Sequence, residues 1–124
     1  MSVVVAHKQG ATLKCMARVL VSGAEGVIAD FSSITYKTYL HNPGAADTQT
    51  DSGTLTIAFV VFNTPVLSTV DEDWESATEG YNFMFSAPAA GFAGEGYHEV
   101  VVSYTLTTGE VGKISFDARV VHTP

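Results

Sequence analysis

From Phe92 to Val121 the chain reads FAGEGYHEVVVSYTLTTGEVGKISFDARVV, with apolar side chains recurring at every second position on both sides of a Thr-Thr-Gly turn. A period of two marks an extended strand with one buried face, because successive side chains point to opposite sides of the backbone. In the first segment His98, Val100, Val102, Tyr104 and Leu106 share one face, and Glu99, Val101 and Ser103 the other. In the returning segment Ile114, Phe116, Ala118 and Val120 alternate with Ser115, Asp117 and Arg119. Thr108-Gly109 closes the hairpin between them. A hairpin cannot cover its own apolar face, so this pattern demands a second layer.

The rest of the chain supplies that layer in the same idiom. Thr12 to Val21 places Leu13, Cys15, Ala17 and Val19 on one face against Lys14, Met16 and Arg18, and the turn SGAEG follows. Ser33 to Leu40 sets Ile34, Tyr36, Thr38 and Leu40 against Thr35, Lys37 and Tyr39, and stops at His41-Asn42-Pro43-Gly44. The small polar run AADTQTDSG reads as a flexible connection. Thr54 to Phe62, TLTIAFVVF, is apolar on both faces and predicts a central strand or one covered by a neighbouring chain; it is also where a homo-oligomer interface is expected. Pro65 ends that run. GYNFMFSAP turns Tyr81, Phe83 and Phe85 toward the core and Asn82, Met84 and Ser86 away, and Pro88 stops it. The expectation is an all-β fold: one antiparallel β-sandwich of about six to eight strands across residues 1–124. Residues 1–10 form an arm or an edge strand, with the β-prone Val3, Val4 and Val5 pairing within the domain or adding to a partner's sheet.

Charge and composition bound the function. A formal charge of −7 repels a phosphate backbone, which argues against nucleic acid as a partner. The lone Cys15 rules out an internal disulfide framework. The opening MSVVVAHKQG lacks a basic start and a long enough apolar run for a signal peptide, and IAFVVF is far too short to span a bilayer. A soluble protein made in a cytoplasm, with no membrane partner, is expected. Only 15% of residues are charged, which leaves neutral surface for contact with other proteins.

Residue patterns that carry chemistry are sparse. Asp71, Asp73 and Glu75 share the spacing that opens a calcium loop, but Ser76 stands where the turn glycine belongs and Asn82 where the bidentate glutamate does. They read as a solvated acidic patch or a docking surface for basic protein. Trp74 between them either caps the end of the sandwich or anchors an interface. His7, His41, His98 and His122 lack paired metal-ligand spacing, and His98 reads as a hydrogen-bonded ring on a buried face. No nucleophile elbow and no phosphate-cradling glycine loop appears in the sequence. The expectation is therefore a protein without catalytic, metal or cofactor site, whose candidate contact residues are Trp74, Asp71, Asp73, Glu75, Val3, Val4, Val5, His41 and Asn42.

Two resemblances sharpen this. Gly94-Glu95-Gly96-Tyr97-His98-Glu99-Val100 resembles the tyrosine corner of immunoglobulin-like domains, which implies an immunoglobulin-like sandwich with the Tyr97 hydroxyl bonded back to backbone. The order KQGATL, FSSITYKTY, VVFNTP, Trp74 in an acidic loop, EGYNFMFSAPAAGF and a Gly-Tyr strand feeding the last hairpin is similar to small structural proteins of tailed bacteriophages. That resemblance implies a virion location and a capsid decoration (cement) role, or an adaptor role in tail or baseplate. The implied partners are the major capsid protein or other virion subunits, with the chain itself a homo-oligomer. From a different class, a carbohydrate-binding sandwich on a host-recognition appendage would use Trp74 with Tyr36, Tyr39 or Tyr81 as stacking platforms. Ring exposure discriminates: a sugar binder opens two or more rings on one face, and a decoration protein buries most of them.

Overall fold

The computed structural model describes residues 12–66 and 80–120 in full and the backbone of 4–8 and 121. Val3, Asp71, Asp73, Trp74 and Glu75 lie outside the described residues. In chain order the elements are β1 (Val4–Lys8), β2 (Leu13–Ala17), β3 (Leu20–Val21), β4 (Ala24–Glu25), β5 (Phe31–Leu40), β6 (Thr48–Leu55), a single helical turn α1 (Ile57–Val60), β7 (Val61–Val66), β8 (Tyr81–Ala87), β9 (Gly96–Leu106) and β10 (Val111–Val121). Short 3₁₀ turns occupy Ile28–Asp30 and Ala89–Phe92.

The fold is an all-β sandwich. One sheet runs β1-β10-β9-β5-β6, the facing one β2-β8-β7, and β3-β4 is a separate two-stranded ribbon. The hairpin predicted from the period-two pattern is present, paired from Val111↔Thr105 to Val120↔Gly96. Between the sheets, Leu13, Cys15, Phe83 and Phe85 meet Ile34, Val100, Val102 and Phe116 in one continuous core. Burying each such aliphatic or aromatic side chain contributes about 1.5–3 kcal/mol.

Several local expectations are corrected. Thr54 to Phe62 is no strand: its first residues end β6, Ile57–Val60 make one helical turn, and β7 begins at Val61. The run crosses from one sheet to the other, and both strands it joins are sheet edges. An apolar run without alternation carries no period, so strand and helical turn look alike in sequence. Here Leu55, Ile57, Val60 and Val61 turn to the core, whereas Phe59 is 79% exposed. The polar TQTDSG, expected to belong to a loop, forms most of the edge strand β6, which runs on through Thr54 and Leu55. Its polarity suits an edge facing water, and its pairing with β5 is by backbone, which the side chains do not advertise. Pro65 lies inside β7, an edge strand, where its missing N–H breaks no ladder.

Likewise the first strand ends at Ala17, and Ser22 and Gly23, both at positive φ, fold Leu20–Glu25 into the β3-β4 ribbon. The arm is an edge strand of its own domain: Val4 pairs with Asp117 and Val5 with Ala118, parallel rather than antiparallel. Tyr97 forms no corner. The inward row of β9 starts at His98, so Tyr97 faces out beside Glu99 with its ring 55% exposed. In β8 the predicted alternation fails at its first two residues. Tyr81 packs with Met16, Phe62, Val66 and Met84 in a smaller cluster, and Asn82 is buried, where the β7-β8 pairing shifts register.

Two glycines are set by aromatic neighbours across the ladder. Tyr36 lies opposite Gly53 and Tyr104 opposite Gly112. A Cβ on Gly53 would come within 2.7 Å of the Tyr36 ring, and one on Gly112 within 2.3 Å of Tyr104. Each ring covers the bare backbone that a strand glycine leaves open, a pairing that also fixes register.

Candidate groove on the outer face of the larger sheet

Register assembles the site. On the solvent face of the five-stranded sheet, Asp117 is paired with Glu99, Glu99 with Tyr39, and Tyr39 with Gln49, so the four form a row across four strands. The next row holds Arg119 opposite Tyr97, and His41 N–H donates to Tyr97 O at 2.9 Å, extending the ladder past the end of β5. Tyr39, His41, Asp47, Tyr97, His98, Glu99 and Asp117 line a half-open groove of about 370 Å³ between these rows. That volume lies at the small end of the range for ligand sites.

The turn beside the groove is braced. His41 Nδ1 and Asp47 Oδ1 are 3.0 Å apart, and Asn42 Nδ2 donates to Ala46 O and to Thr48 Oγ1. Ala45 N–H returns a bond to Asn42 O, with Gly44 at φ 76° making the reversal. Below the groove His98 is buried, with Nδ1 3.4 Å from Gly96 O and its ring 5.5 Å from that of Phe92.

The candidate contact residues are thus divided. His41 lines the groove, Asn42 holds its turn, and Val4 and Val5 belong to the strand flanking Asp117. Tyr97, Glu99, Asp117 and Asp47 were not among them. The signal was available: counting back from the turn at Thr107–Glu110 places Glu99 opposite Asp117. Of the proposed sugar platforms among the described residues, Tyr36 and Tyr81 are buried and Tyr39 lines the groove, while Trp74 lies outside the described residues. Among the described residues, no three His, Cys, Asp or Glu side chains are grouped to hold a metal ion, and no helix is long and apolar enough to cross a membrane.

Two groups away from the groove are shifted by burial. Burial pushes the Cys15 thiol up to about 12. Burial, then the hydrogen bond from its hydroxyl to Asp51 Oδ2 at 2.9 Å, raises Tyr36. A raised folded-state value means that the neutral thiol is favoured in the fold. The Cys15 contribution is complete below the unfolded thiol value and is lost as pH rises from about 9 toward about 12. At pH 8 the native protein should react with an aromatic disulfide reagent at least about a hundredfold more slowly than in guanidinium, read as thiolate release against time.

No family model matches the chain, and no curated protein matches it in sequence.

Proposed function

We propose that this chain is a non-enzymatic structural subunit of a tailed-bacteriophage virion, a capsid decoration or cement protein that bridges neighbouring shell subunits. The observation that carries the reading is the separation of two contact features on one rigid frame. The Tyr97 groove stands at one end of β9. Phe59, 79% exposed, follows β6, whose Leu55 pairs with Ile34, itself paired with Tyr104 near the other end of β9. Tyr104 lies seven positions along the strand from Tyr97, which is about 23 Å at strand rise. A subunit that spans a seam needs two such attachments, and on a symmetric shell modest contacts add through their repetition.

The strand order supports an immunoglobulin-like reading as well. With β2, β5, β6, β7, β8, β9 and β10 taken as strands B, C, C′, D, E, F and G, the sheets become G-F-C-C′ and B-E-D, with β1 added beside G. The tail or baseplate adaptor uses the same surfaces and differs only in position.

Fractionation of purified particles, followed by imaging with this subunit labelled, tests the reading. Label over the shell is expected; label at the tail tip moves the protein to the adaptor role, and absence from particles removes both. Phe59→Asp provides a finer check. An exposed ring contributes little to folding, so stability should change by less than about 0.5 kcal/mol while the variant's occupancy on particles falls severalfold. Unchanged occupancy would take Phe59 out of the interface.

A further inference from the structure

Resting on the reading of Tyr97 as a contact feature of a structural subunit, we propose that what it meets is a second copy of this chain, stacked face to face on the larger sheet with its strands running the opposite way. The register lays the outward side chains of β10, β9 and β5 out in rows. The middle row is Ser115, Val101 and Lys37. One row nearer the β9-β10 turn holds Lys113, Ser103 and Thr35, and one row the other way holds Asp117, Glu99 and Tyr39. The outermost rows pair Val111 with Thr105 at the turn end and Arg119 with Tyr97 at the other.

This face is complementary to itself when inverted. A two-fold axis lying between the sheets along the middle row, perpendicular to the strands, carries each row onto the one equally far on the other side. Lys113 of one copy then comes over the row that holds Glu99 in the other, and the symmetry makes the contact twice. Asp117 already has a partner in its own chain, so Glu99 is the counter-charge. Tyr97 and Val111, 55% and 77% exposed, are the large apolar side chains that the sheet face leaves open among the described residues, and they stand on neighbouring strands at opposite ends of it. Inversion sets Tyr97 of one copy at the end that carries Val111 in the other, so each apolar group covers the other. Between these ends Val101, Ser103 and Thr105 run along β9, short side chains that let two sheets approach to the usual spacing of about 10 Å. Stacking with the strands parallel keeps every row on itself and sets Glu99 against the acids of the second copy. Lys37 meets its own counterpart in the inverted dimer, but at the flank, beside the edge strand β6, where water and salt screen it. With the Tyr97 attachment taken by a second copy, each dimer presents two Phe59 turns, one toward either end.

Analytical ultracentrifugation of the full chain over a range of concentrations tests the proposal. One sheet face is a small interface, so a reversible dimer with a Kd of about 10–100 µM is expected. Lys113→Glu and Glu99→Lys should each raise the Kd about tenfold, and the double variant should return it to within about threefold of wild type, because the inverted stacking exchanges the two charges. Tyr97→Ala should raise it about fivefold, whereas Lys37→Ser should lower it about twofold by removing the like-charge contact. A protein that stays monomeric at about ten times the highest expected Kd, a double variant no better than either single one, or a dimer lost with Phe59→Asp and indifferent to Tyr97→Ala would each overturn the proposal. Particle fractionation is read separately. A dimer with these properties that is absent from particles keeps the interface and removes the virion reading; a monomer present on particles does the reverse.

Discussion

Asn82→Ala should lower stability by about 3 kcal/mol, although the residue touches no surface and lies in no predicted core row. Asn82 is 1% exposed and uses its whole amide. Oδ1 accepts Val19 N–H at 2.7 Å, while Nδ2 donates to Val19 O at 2.8 Å and to Gly26 O at 2.9 Å. Gly26 N–H also reaches Val19 O, so the side chain closes the base of the β3-β4 ribbon and ties it to β8. Alanine leaves the Val19 N–H and Gly26 O buried without partners, and such orphaned groups cost about 1–3 kcal/mol each. Equilibrium denaturation should show the loss as a lower midpoint with an unchanged slope. Asn82→Asp separates hydrogen bonding from volume. Its Oδ1 can still accept from Val19, but its other oxygen confronts two carbonyls, which raises its folded-state pKa. Stability of that variant is therefore greatest when the carboxyl is protonated and declines as pH rises through the raised value. An Asn82→Asp protein as stable as wild type at neutral pH would show that the Nδ2 bonds contribute nothing.

Phe92→Ala should cost about 3–5 kcal/mol, the range for emptying a buried aromatic site. For a chain of this length that is a fall in Tm of about 10–15 °C by calorimetry. Phe92 sits in a connection between strands, yet it is fully buried and has the largest side chain among the residues most completely enclosed. Pro88 stops β8, and Gly91 N–H bonds Pro88 O to close the 3₁₀ turn. Gly91 then lies close on Thr38, with Thr50 Oγ1 donating to Gly91 O. That approach sets the ring in the main core, 5.5 Å from that of His98. A Phe92→Ala protein that melts like wild type would mean that neighbouring side chains close the space.

Much of the architecture was legible because one-sided burial imposes alternation. Strands β5, β9 and β10 match their predicted inward rows, since each has one wet face and one dry face and period two survives in the side chains. Legibility ended where backbone pairing, rather than side-chain burial, makes the element. The edge strand β6 is polar because its side chains meet water, and its partner β5 recognises only its peptide groups. Asn82 was assigned outward by parity, and a register shift at β7-β8 turned it inward.

The groove divides in the same way. Alternation by itself placed Glu99 and Asp117 outward and could be read along the chain. That they stand opposite one another, with Tyr39 across the next ladder and Asp47 folded back onto His41, depends on the register of three strands and on a braced turn. Sequence determined which side of its own strand each residue faces, because that is a property of consecutive peptide units. Only the tertiary structure decided which residues became neighbours, because pairing between strands is made by backbone groups that every sequence carries alike.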